Sequence, residues 1–191
     1  IESPALQYLL AVKYSSNPAA EYADGFRSRF STDGLTKAQG VVINMQVPRS
    51  WIGEEAERPH IVRKWRSANG TGYEMIMLLV NDAGGYAPTD EEIKTFVTSG
   101  EVKSVVPDTG KYEDSGVFHL EGLPGFWVEY TDSQERAGQA VYQKVRVNNF
   151  FLNGKAIQLM CQIPGLPKDS KSIDASFKKL VPLCNQVLNS V

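Results

Sequence analysis

The chain has 191 residues, 42% hydrophobic and 22% charged, a composition that buries one core without metals or several disulfides and lies far from that of disordered chains. Lysine plus arginine number 20 against 22 acidic residues, so the net charge of -2 supplies no broad field for a phosphate backbone and argues against nucleic acid as a partner. The longest apolar run, Met75 to Val80, is far below the roughly 20 residues that span a bilayer.

Ile1 rather than Met opens the chain, which implies that something was removed upstream, and an export leader is the expectation that follows. No repeat period is visible, so solenoids and propellers are set aside. Residues 1–39 contain the turn signals Asn17-Pro18 and Asp24-Gly25 and read as a lead-in packed on a domain formed by residues 40–191.

From Gly40 the pattern sharpens. Val41, Ile43, Met45 and Val47 alternate with Val42, Asn44 and Gln46, which predicts a half-buried strand ending at Pro48. Ile61 to Ser67 and Tyr73 to Asn81 flank a segment containing Asn69-Gly70 and are expected to pair as an antiparallel hairpin. Met75 to Val80 is apolar on both faces, so that strand is expected to be covered on both sides by helices. A helix should start after Thr89 or Asp90, bury Ile93, Phe96 and Val97, and stop near Gly100.

Strands are then predicted over Val117 to Leu120, Phe126 to Thr131, Ala140 to Leu152 and Lys155 to Ile163. They are separated by Leu123-Pro124-Gly125, a polar turn over Asp132 to Gly138, and Asn153-Gly154. The last element places Phe177, Leu180, Val181, Cys184, Val187, Leu188 and Val191 on one helix face, with Pro182 expected to kink it or divide it in two.

The fold class is therefore α+β: an antiparallel sheet sandwiched between helices. Met45-Gln46-Val47-Pro48-Arg49-Ser50-Trp51, Arg58-Pro59-His60-Ile61-Val62, Gly122-Leu123-Pro124-Gly125 and Ala156-Ile157-Gln158-Leu159, in this order, resemble the PsbP-like superfamily over roughly residues 40–191. That superfamily includes the extrinsic PsbP subunits of photosystem II, a Ran-binding nuclear-import factor and bacterial exported proteins. The resemblance implies an α/β/α sandwich and a binding or accessory role, and it transfers no partner-binding residue to this chain.

The chemistry-bearing residues form no recognisable motif. His60 and His119, the chain's two histidines, lack metal-ligand spacing, no Gly-x-Ser-x-Gly elbow occurs, and Met75 stands where Gly70-Thr71-Gly72 would need a third glycine. Glu54-Glu55-Ala56-Glu57 reads as a solvated loop. No catalytic residue, cofactor or metal is expected. Cys161 has the strand parity of Ile157, Leu159 and Ile163, and Cys184 lies on the apolar helix stripe, so both thiols face one interior; a disulfide and two buried thiols both remain open.

Arg63, Trp65 and Arg66 mark the expected partner surface, because both faces of that strand carry cations, as suits a sheet edge. Tyr142, Lys144 and Arg146 repeat along one face, with Glu129 available to pair, and read as a solvated charge ladder. The leading expectation is a non-catalytic exported protein that binds another protein. The alternatives are a small-molecule carrier or weak enzyme, with its pocket between sheet and C-terminal helix, and a cytosolic adaptor or chaperone.

Overall fold

Leu78 and Leu159 sit opposite each other in the middle of a seven-stranded antiparallel sheet, each wholly shielded from solvent. The protein, a computed structural model, is described over residues 3–67, 73–136 and 138–191. In chain order, helices α1 (Pro4–Tyr14) and α2 (Pro18–Ala23) lead to strands β1 (Arg27–Ser31), β2 (Asn44–Pro48), β3 (Ile52–Glu54), β4 (Ile61–Arg66) and β5 (Met75–Asp82). Helix α3 (Asp90–Thr98) follows, then β6 (Gly110–Leu120), β7 (Leu123–Arg136), β8 (Gln139–Leu152), β9 (Lys155–Gly165) and α4 (Ser170–Leu188).

The large sheet has the order β3-β4-β5-β9-β8-β7-β6, with a separate β1–β2 ribbon beside it. Every pairing is antiparallel. The predicted hairpin of β4 and β5 and the β6-to-β9 meander are both present; Asn69-Gly70 lies outside the described residues. Strand alternation sends Ile76, Leu78 and Val80 to the same face as Ile157, Leu159 and Ile163, and α4 covers that face with Phe177, Leu180, Leu183 and Val187. On the opposite face, Ile93 of α3 and Val102 meet Phe126, Val128, Tyr130, Val145 and Val147.

Local chemistry fixes the helix starts. Thr89 accepts from the Glu92 amide while the Glu92 carboxylate accepts from the Thr89 amide, a reciprocal capping box that satisfies two donors at the start of α3. Gly100, at φ 84°, adopts the left-handed geometry that stops the helix. Asn17 caps α2 through the Ala20 amide, with Pro18 at the first helical position.

The segment before Gly40 forms α1, α2, β1 and a 3-10 turn at Thr36–Ala38, with α2 against α4 and β1 paired with β2. Other expectations need correction. Val41 and Ile43 are buried as the alternation requires, but the β2 ladder begins only at Asn44. The turn between β6 and β7 is Glu121-Gly122, at φ 48° and 86°, rather than Leu123-Pro124-Gly125. Two successive positive-φ residues match the twist of paired strands, and Pro124 is tolerated in β7 because the β7–β8 ladder reaches only to Gly125.

The polar stretch after Thr131 is strand, with Asp132 opposite Gln143 and Gln134 opposite Val141, and β6 starts at Gly110 rather than Val117. Helix α4 runs unbroken through Pro182. Pro182 and Lys178, whose carbonyl loses its partner, are both on the exposed side, where water satisfies the oxygen. Cys161 of β9 and Cys184 of α4 are joined by a disulfide, their Cα atoms 6.4 Å apart.

Candidate functional site

Helix α3 is nine residues long, about 13 Å at the rise of an α-helix, and its main contacts are with β6, β7 and the 3-10 turn at Glu101–Val105. On the same face Met77 and Leu79 of β5 are buried as well, so β5 is shielded on both sides as expected, though on this side not chiefly by α3. Met75, Met77 and Leu79 of β5 and Met160 of β9 form the floor of a groove of about 660 Å³. The segment from Glu55 to Ile61 walls one side, pinned where the Lys37 ammonium donates to the Ala56 carbonyl. Three of the chain's four methionines lie in this floor. Methionine's unbranched, polarizable side chain re-packs readily, as a binding surface for a shaped ligand requires.

The opposite wall is polar. Strand alternation puts Asp132 on the face of Val128 and Tyr130, at the groove's β7 side. Asp132 is only 2% exposed. The side-chain amides of Gln134 and Gln143 both donate to its Oδ2, at 2.5 and 2.8 Å, whereas its buried Oδ1 has no hydrogen-bond partner among the described residues. Burial pushes the neighbouring Tyr130 phenol up to about 12, with the Asp132 charge adding to the effect, so Tyr130 stays protonated throughout the physiological range.

The interface between the sheet and α4, expected to hold a pocket, is closed to solvent where Ile157, Leu159, Cys161, Leu180, Leu183, Cys184 and Val187 meet, all 0% exposed.

The predicted cationic surface is largely consumed by internal bonds. β4 is not an edge, because β3 pairs outside it. Trp65 is 4% exposed and meets the Phe30 ring edge-on at 5.0 Å, so it is a core residue and cannot offer its indole to a partner. It fits because Gly53 opposite has no Cβ, which would lie 3.0 Å from the indole nitrogen. Arg63 donates to the Gly53 carbonyl at 3.1 Å. Arg66 and Lys64 bind the Glu54 carboxylate at 2.6 and 3.1 Å, and these bonds, with Arg66 the stronger, hold Glu54 below the usual carboxylate range. The acidic run is thus split, with Glu54 in this network and Glu55 and Glu57 exposed.

The charge ladder on β8 is not solvated either. Arg146 is buried, pairs with Glu129 at 2.7 Å and stacks 4.0 Å over the Trp127 ring. Lys144 lies between Glu113 and Asp174, which joins the sheet to α4. His119 pairs with Asp90 at 3.1 Å, His60 lines the groove, and no cluster of three His, Cys, Asp or Glu side chains occurs among the described residues. None of the described helices is long and apolar enough to cross a membrane.

Sequence reasoning missed Asp132, Gln143 and Met160 as groove residues. Asp132 looked like a turn, and only the pairing of β7 with β8 sets it among buried neighbours. The alternation of Met75 and Met77 was the usable signal.

No family model and no curated protein matches the sequence. Among solved structures, the Ran-binding protein Mog1p of Saccharomyces cerevisiae superposes with a TM-score of 0.52 at 10% identity, over 86% of this chain and 94% of that one. A mutant of Mog1 gives 0.54 at 10% identity over 85% and 94%. Cyanobacterial PsbP from Synechocystis sp. PCC 6803 gives 0.43 at 13% identity over 86% and 90%. The chain has the PsbP-like fold, as the resemblance implied.

Proposed function

We propose that this chain is a non-catalytic binding protein that works outside the cytosol and receives its ligand in the methionine-floored groove. One observation carries the reading: a groove floored by three methionines and a leucine lies on the sheet face opposite α4, beyond the main contacts of α3. A volume of about 660 Å³ lies within the range of small-ligand sites, which run to roughly 1,000 Å³. The Cys161–Cys184 disulfide supports an oxidising compartment.

Native mass spectrometry of the protein purified gently from its source compartment tests this. An added mass on the wild type that is lost in Met160→Glu supports the groove; a bare chain in both argues against it. A second reading, a protein partner at the β3–β4 edge, draws on Ile52, which is exposed opposite Arg66. A partner released by Ile52→Asp and Arg66→Ala, yet unaffected by Met160→Glu, would favour that surface.

A further inference from the structure

We infer that the groove selects a ligand bearing a primary ammonium group on a slender apolar chain, with Asp132 as its counter-ion; this rests on the groove being a binding site. Two glutamine amides converge on one carboxylate oxygen of Asp132 and leave the other, equally buried, without a donor. A buried carboxylate oxygen lacking a donor is costly, and a charged donor satisfies it best. Of the cations that line the groove, Lys64 is engaged by Glu54, and Arg58 belongs to the Glu55–Ile61 wall across from Asp132. Tyr130, which remains a neutral phenol, supplies no positive charge.

The remaining surface defines the rest of the ligand. From the Asp132 wall the floor passes Gln143 of β8 and Gln162 of β9 before it reaches Met75, Met160 and Met77, an apolar stretch beyond the polar end that suits an alkyl body. With Asp132 only 2% exposed and Oδ1 out of reach of solvent, neighbouring side chains must shift to admit a ligand, and an ammonium at the end of a methylene chain needs a smaller opening than a branched or planar cation. A ligand carboxylate placed there would meet Asp132 as a like charge.

The test uses hexylammonium, hexanol and hexanoate, which share one chain length and differ in the head group. Binding is followed through the methionine methyl resonances of the whole chain at neutral pH. The expected result is that hexylammonium shifts the Met75, Met77 and Met160 methyls and binds at least about tenfold more tightly than hexanol, with hexanoate weakest. In Asp132→Asn, which keeps the size of the side chain, the preference over hexanol should fall to about one. If that variant does not fold, the order of the three probes on the wild type decides.

Equal affinity for hexylammonium and hexanol, with the same methyls shifted, overturns the ammonium inference and leaves the groove as a binding site. No methyl shift with any probe overturns both. Binding of a short lysine-containing peptide where hexylammonium fails overturns the small-molecule reading in favour of a peptide.

Discussion

Cys184, on the buried stripe of α4, is bonded to Cys161 near the centre of β9, at a sequence separation of 23. The bond ties the covering helix to the innermost strand, and a loop of that size restricts the unfolded chain by about 3 kcal/mol. Replacing both cysteines with alanine should lower unfolding stability by about that amount. Urea midpoints of the wild type, with and without reductant, should bracket the variant. An unmoved midpoint on full reduction would mean that the bond adds nothing to stability.

Glu21 is 1% exposed and accepts from both the amide and the hydroxyl of Ser50, at 2.7 and 2.6 Å, which fastens α2 to the turn after β2. Burial raises its carboxyl above the usual range, and the Ser50 bonds offset only part of that. Because the folded value exceeds the unfolded one, its contribution to stability is complete at low pH and is lost as pH rises through the folded value. Glu21→Gln lacks this loss. The melting temperature of the variant minus that of the wild type should therefore grow more positive from about pH 4 to about pH 7. The acceptor that glutamine gives up shifts all points alike and leaves the trend. A flat difference would show that Glu21 does not titrate abnormally.

Trp65 and Arg66 are adjacent, yet they should behave differently. Trp65→Ala empties a packed site against Phe30 and should cost about 3–5 kcal/mol. Arg66→Ala removes an ion pair whose arginine side chain is 41% exposed and should leave the denaturation midpoint almost unmoved. Denaturant titrations separate the two, and a tolerated Trp65→Ala would contradict its place in the core.

Arg146 and Glu129 form a pair only 10% and 19% exposed. Glu129→Ala strands the guanidinium over Trp127 and should cost about 3 kcal/mol. The double variant Arg146→Met with Glu129→Leu should recover most of that, because it removes both desolvated charges together. A double variant no more stable than Glu129→Ala would mean that the stacked arginine itself holds the strands together.

The elements that read clearly from sequence are those in which local chemistry and burial agree. Thr89 with Glu92 and the paired positive-φ residues Asn153-Gly154 act within a few residues, so their helix start and hairpin were predictable. The stripe through Phe177 and Val187 revealed the face of α4 in the same way. Asp132 and Trp65 did not read correctly, because their surroundings come from distant strands. A run of aspartate, serine and glutamine looks like a turn until Gln143 is set opposite it, and a tryptophan among cations looks like a surface until Phe30 and Gly53 close over it. The groove is assembled from β4, β5, β7, β8 and β9 together, an arrangement no local pattern encodes.

The two margins of the large sheet also bear on how the protein survives at high concentration. β3 offers only three residues for pairing, and β6 is interrupted by a bulge between Tyr112 and Asp114 and studded with exposed Lys111, Glu113 and Asp114. A second molecule trying to extend the ladder at β6 would meet broken spacing and exposed charge. These features work against edge-to-edge pairing along an eleven-residue marginal strand.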